Sequence, residues 1–242
     1  MRPPRGILVD YGGTLVEEVA IDMRAGNEWL LSHASHVPPH VTIDQVLERA
    51  TRIARDVAGR RDHVHIETPW PTLTRLIHDY FGTRFDAPFA HLELGFWKAS
   101  MRTQPMPGAQ TALGRFRIAN IPVGVVSNTS FSEPVIRYEL EKHGLTEHMA
   151  FVIVSSAYSV RKPSEFLFEL AAARLGVQAK DIWFLGDRLD TDVAGAKASG
   201  MTAVWLNPSR RPDPSESADL TVADWHEFER HVLSGSPAPQ SR

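Results

Sequence analysis

The sequence predicts an α/β fold, a doubly wound parallel sheet interrupted by an inserted all-helical segment. Three observations predict it. The run Gly6-Ile7-Leu8-Val9 is apolar, ends on Asp10 and breaks at once into Gly12-Gly13-Thr14, the pattern of a buried strand entering a tight loop. From about Ile21 to Met101 the apolar residues recur at helical spacing. Beyond Pro105-Met106-Pro107-Gly108, short runs that are apolar throughout alternate with helical stretches. Strands of that kind belong to parallel sheets covered on both faces, with ligands bound outside their carboxyl ends.

Within the insert, helices are expected from Gly26 to Ser35, from an N-cap at Thr42 to about Ala58, from Trp70 to Phe81 and from Phe89 to Met101. No run in it alternates as a strand would. Helix is then expected over Ala109 to Ala119, strand over Pro122 to Val126, helix over Glu133 to His143 and strand over Phe151 to Val154. Helix from Ser164 to Leu175, strand from Asp181 to Leu185, helix from about Asp192 to Ser199 and strand from Thr202 to Leu206 complete the alternation. The implied organisation is an α/β core over 1–17 and 106–233, a helical cap over 18–105 and a flexible, small and polar tail over 234–242.

The formal net charge of -3 provides no basic face for nucleic acid or an anionic membrane. With no cysteine in the chain, thiolate metal sites, disulfides and thiol nucleophiles are excluded. No stretch is apolar for long enough to cross a membrane, and the first apolar run is too short for a signal-peptide core, so a cytoplasmic protein acting on a small molecule is expected.

The chemistry-bearing residues stand at predicted strand ends. Asp10 follows the first strand, Ser127-Asn128-Thr129 the second, Arg161-Lys162-Pro163 lies beyond the third, and Gly186-Asp187-Arg188-Leu189-Asp190-Thr191-Asp192 follows the fourth. An acid, a hydroxyl, an ammonium and an acid cluster at one sheet edge satisfy the checklist for an active site. Their order and spacing resemble the haloacid dehalogenase superfamily of hydrolases, most of which are phosphatases. Asp10 with Gly13-Thr14 matches its first motif, Ser127 its second, Lys162 its third, and Asp187 with Asp192 its fourth; the insert matches the helical cap of one branch. The resemblance implies a hydrolase of phosphate esters.

The residue types argue for the same chemistry. A carboxylate can serve as nucleophile in phosphoryl transfer, and Asp10 is the candidate. Lys162 would hold Asp10 and the phosphate in register. Ser127, Asn128 and the backbone at Gly13 would bind phosphoryl oxygens. Facing carboxylates call for a hard cation, and Mg²⁺ fits oxygen ligands from Asp10, Asp187 and the Gly12 carbonyl, with Asp192 acting through a water or orienting Lys162. The expected partner is a small phosphorylated substrate.

Gly12 departs from the family pattern. The phosphatases place a second aspartate there, as the acid that protonates the leaving group. Seven of the eleven histidines fall in the insert, and His63 and His65, beside Arg60 and Arg61, could replace the acid or, on an extended segment, bind metal. A substrate with a good leaving group would need none. The alternative is a weakly catalytic or non-catalytic phosphate-ligand binding or regulatory protein. A phosphonate hydrolase would need Lys98, the insert's one lysine, as a Schiff-base amine, and a dehalogenase would not need the metal acids.

Overall fold

The computed structural model describes residues 2–234. The tail expectation for 235–242 lies outside the described residues. Six strands form a parallel sheet: β1 (Gly6–Val9), β4 (Val123–Ser127), β5 (Phe151–Val154), β6 (Ile182–Gly186), β7 (Thr202–Leu206) and β8 (Leu220–Val222). They lie in the order β5-β4-β1-β6-β7-β8. The chain winds outward from β1 to one edge, then returns to β6 on its other side and winds to the opposite edge. This creates a switch point between β1 and β6, where a crevice opens outside the strand ends. Asp10 follows β1 and Asp187 follows β6, so both border that crevice.

β1, β4, β5 and β6 bury both faces, because helices cover the sheet on both sides, while the edge strand β8 leaves Thr221 exposed. In β1, Ile7 and Val9 join one apolar cluster with α5 (Ala109–Ile118), α6 (Glu133–Lys142) and α9 (Trp225–Leu233). Leu8 points the other way, into a second cluster with α7 (Glu165–Leu175) and α8 (Ala194–Ala198). Two-sided burial explains the unbroken apolar runs.

The insert holds the four expected helices, α1 (Met23–Ser32), α2 (Ile43–Val64), α3 (Trp70–Phe81) and α4 (Phe89–Ser100). Thr42 caps α2 through a capping box, its hydroxyl accepting from Gln45 N at 3.3 Å while Gln45 Oε1 accepts from Thr42 N at 2.9 Å. The helix expected to end at about Ala58 runs on to Val64, and the left-handed terminus falls at His65, φ 54°. Trp70 and Trp97 are core residues of two apolar clusters, and Trp29 packs against the one that holds Trp70.

Two expectations are corrected. The insert is not helical to its ends: β2 (Val16–Ile21) and β3 (Met101–Pro105) pair as an antiparallel ribbon, with an irregularity between Glu18 and Ala20. Five of the six β2 residues are exposed, so β2 lacks the buried alternation by which a strand is recognised. The helix expected from Asp192 begins instead as a π turn over Leu189–Val193, continuing into α8. The short β8 and α9 were not distinguished individually. Among the described residues, no helix is long and apolar enough to cross a membrane.

His78 on α3 is 1% exposed and lies beside Phe85 and Phe89, with ring centroids 4.9 and 5.7 Å away. Neither ring nitrogen has a hydrogen-bond partner, and burial pushes its pKa from 6.5 down to about 4. Between those values the unfolded chain binds a proton that the native protein refuses. Stability is therefore full above pH 6.5 and falls as pH drops towards 4, by about 1.4 kcal/mol per unit at most. Urea midpoints should show His78→Phe losing about 2 to 3 kcal/mol less than the wild type between about pH 7.5 and about pH 4.5; equal losses would remove His78 as a cause of acid lability.

Candidate active site

The end of β1 runs into a tight loop in which Leu15 N and Val16 N both donate to Tyr11 O, at 2.9 and 3.0 Å, and Gly13 N donates to Val16 O at 2.9 Å. Gly13 takes φ +70°, and a Cβ there would lie 2.9 Å from Asp187 Oδ2. Glycine is thus required twice, for the backbone angle and for the approach of Asp187. At Gly12 an added Cβ would meet nothing within 4 Å. The departure from the family pattern leaves open space two residues beyond Asp10.

Asp10 and Lys162 meet across the sheet edge. The Lys162 ammonium, whose residue is 2% exposed, donates to Asp10 Oδ1 at 2.6 Å and to the Val126 carbonyl at 2.8 Å, and pairs with Asp192 Oδ1 at 2.7 Å. Asn128 does not project as a free donor: its Oδ1 accepts from Lys162 N at 2.8 Å and its Nδ2 donates to Lys162 O at 3.0 Å. It therefore clamps the loop after β4 to the backbone that carries the lysine. Asp192 Oδ2 accepts from Arg188 N at 3.1 Å, closing the π turn. Asp190 pairs at the surface with Arg188 at 2.7 Å, in keeping with a loop role.

Carboxylate oxygens of Asp10, Asp187 and Asp192 lie within 4.8 Å of one another. One ammonium faces three acids. Burial pushes Asp10 up to about 7, against the pull of Lys162 and with the push of Asp192 and Asp187. Burial, then Asp192, raises Asp187 as well. Burial alone would lower the Lys162 pKa, but Asp10 and Asp192 outweigh it and hold the ammonium above its ordinary value. A cluster with this surplus of buried negative charge suits a hard cation, and these three acids could hold one.

The pocket above them has a volume of about 620 Å³ and is also lined by Gly12, Gly13, Ser127 and Asn128, so all eight predicted site residues converge on it. The other candidates divide. His65 lines the pocket; His63 is exposed on the last turn of α2 and does not, which removes the extended-strand argument for a metal pair. Arg61 lines a different cavity in the insert, and the Arg60 side chain lies outside the described residues. The Lys98 ammonium sits over the Tyr138 ring, 4.4 Å from its centroid, and is not a pocket residue.

Several pocket residues went unforeseen: Tyr11, Glu17, Glu18, Trp97, Thr129 and Arg161. Glu18 reaches the pocket from the exposed strand β2. Arg161 pairs with the buried Glu67, and three backbone bonds reinforce this seam: Arg161 N to His65 O at 2.9 Å, Glu67 N to Ser159 O at 3.2 Å and Trp70 N to Ser130 O at 2.8 Å. The backbone of Asp187 is fixed from behind, its carbonyl accepting from Trp205 Nε1 and Arg211 Nη2, both at 3.0 Å. Adjacency of Tyr11 to Asp10, of Thr129 to Asn128 and of Arg161 to Lys162 is the sequence signal for three of this group.

A family model for haloacid dehalogenase-like hydrolase matches residues 4–200. The chain is 30% identical over 130 residues to ribulose-1,5-bisphosphate 5-phosphatase of Halopiger xanaduensis, covering 53% of this chain and 54% of that protein. It is 31% identical over 133 residues to phosphoserine phosphatase of Thermus thermophilus, covering 54% and 53%. The match thus spans about half the length of these curated relatives. The crystal structure of a HAD phosphatase from Thermococcus onnurineus has the same fold, with a TM-score of 0.64 at 24% identity over 98% of this chain and 99% of that one.

The two adjacent glycines give a paired test. Gly13→Ala should lower the urea midpoint by the equivalent of about 1 to 3 kcal/mol, the usual cost of a side chain held in the left-handed region. Gly12→Ala, in open space, should stay within about 0.5 kcal/mol of the wild type. Equal shifts would contradict the loop geometry.

Proposed function

The chain belongs to the haloacid dehalogenase-like hydrolases, and from that membership we propose that it is a Mg²⁺-dependent phosphatase of a small phosphorylated metabolite, with Asp10 as nucleophile and residues 18–105 as a cap. The observation that carries this reading is the convergence of Asp10, Asp187 and Asp192 around the Lys162 ammonium in one strand-end pocket.

Lys162 occupies Asp10 Oδ1, leaving Oδ2 for attack. The Oδ2–phosphorus bond forms as the ester P–O bond breaks, giving an aspartyl-phosphate and an alcohol once the leaving oxygen takes a proton; water then cleaves the aspartyl-phosphate to inorganic phosphate. Ser127 and the loop backbone after β4 and at Gly13 would bind the phosphoryl oxygens, while Asn128 positions Lys162 through its backbone. Asp10, Asp187 and the Gly12 carbonyl would hold Mg²⁺, with Asp192 orienting the lysine. The ion would neutralise charge between Asp10 and the phosphoryl oxygens.

Gly12 supplies no proton. Glu18 and His65, which the insert brings to the pocket, are candidates for that task. General acid help is worth roughly a hundred- to ten-thousand-fold, so ordinary monoesters should turn over slowly, and acyl phosphates, whose leaving groups need no acid, should turn over better. If none helps, the protein is a phosphate-ligand binder on the same scaffold.

A phosphate-ester panel with Mg²⁺ should show release by the wild type and none by Asp10→Asn. Silence on every substrate, acetyl phosphate included, would overturn the enzyme reading. Gly12→Asp fits the open space and should raise turnover of monoesters by roughly tenfold or more; unchanged turnover would mean that another group already donates the proton. Glu18→Gln and His65→Ala should each be scored by the ratio of alkyl to acyl phosphate turnover, and the true donor is the one whose loss lowers that ratio.

A further inference from the structure

The four helices of the insert do not close on one another. They wall a cavity of about 480 Å³, which lies within the range of about 300–1,000 Å³ typical of ligand pockets. Leu30 of α1, Ile53 and Val57 of α2, Leu73 and Ile77 of α3 and Phe96 of α4 line it. The stripe Ala50, Ile53, Ala54 and Val57, at i, i+3, i+4 and i+7, turns the apolar face of α2 to this space, with Arg61 one turn further on.

Between the helices the wall is mostly apolar; its charged groups include Glu18, Arg61 and Arg188, and several of its other polar groups are already engaged. Asn27 Nδ2 donates to Met23 O at 2.8 Å, Ser100 Oγ to Phe96 O at 2.8 Å, and Glu67 is taken by Arg161 and by Ser155 Oγ at 2.7 Å. A polar body entering here would shed water and find few partners, which is costly. An apolar one would fill a space that close-packed interiors rarely leave empty. The cavity borders the candidate active site, since Glu18, Trp97, Asn128, Thr129, Arg161 and Arg188 line both.

We propose that the substrate is a phosphate ester of an apolar alcohol, alkyl or aryl, whose phosphate sits at Asp10 and Lys162 and whose body fills the cavity among α1 to α4. The inference rests on the phosphatase reading for its reaction and on the cavity for its substrate class. It sets aside sugar phosphates and phospho-amino acids, whose hydroxyl, ammonium or carboxylate groups would be stranded against Leu30, Ile77 and Phe96.

The n-alkyl phosphates from ethyl to decyl test it, because leaving-group basicity barely changes along the series. With Mg²⁺, kcat/KM should rise about fourfold per methylene, the fold-change equivalent of about 0.8 kcal/mol, until the cavity is full. Val57→Trp, or Ala54→Leu if the first variant folds poorly, should flatten the dependence, read as a fall in the ratio of decyl to ethyl phosphate kcat/KM. A flat or falling series in the wild type overturns the proposal. If neither acetyl phosphate nor any ester is hydrolysed, the phosphatase reading has failed by itself. Calorimetry with the same alkyl phosphates then decides the cavity: affinity rising with chain length sustains it, and affinity independent of length overturns it.

Discussion

One buried ammonium constrains the rest of the site. Lys162 cannot lie at the sheet edge, 2% exposed, without anionic partners, and it has them in Asp10 and Asp192, with the Val126 carbonyl as a third acceptor. An unpaired charge in such a place would cost several kcal/mol. The loops after β1, β4 and β6 and the segment after β5 are therefore tied to one point. Asn128 doubles the tie through the lysine's own backbone. Burial first, and then the surplus of carboxylates over that single cation, leave Asp10 and Asp187 raised, and the three acids could hold a further positive charge.

Buried carboxylates also fix the insert on the sheet. Glu67 meets Arg161 and Ser155, Glu93 accepts from Ser132 N at 3.1 Å, and Glu139 accepts from the Trp97 indole at 2.7 Å. All three are no more than 2% exposed. Polar seams of this kind demand one relative placement, because a shift of either side leaves a charge stranded. That placement brings Glu18, His65 and Trp97 to the rim of the pocket and sets it beside the cavity among the helices.

Sequence and structure agree best where a signal is local or chemical. The uninterrupted apolar runs at Ile7, Val125, Ile153, Phe184 and Val204 identify buried parallel strands, because two-sided burial leaves no place for alternation. Thr42 announces the start of α2, and Gly12-Gly13 announces a tight loop. The exposed β2 escapes notice because solvent, not a core, faces most of its side chains. His63 and His65 look like a pair until α2 runs on to Val64 and separates them.

The sequence by itself determined the doubly wound sheet, the helical character of most of the insert and the eight residues that meet at the switch point. Those follow from residue type at strand ends, which topology must gather at one edge. Only the tertiary structure decided that Asn128 serves Lys162, that Gly12 opens onto empty space, that Glu18 stands at the rim and that the insert encloses an apolar cavity. These depend on distances between segments far apart in the chain, set by close packing and by the pairing of buried charge, for which no local pattern of residues is a record.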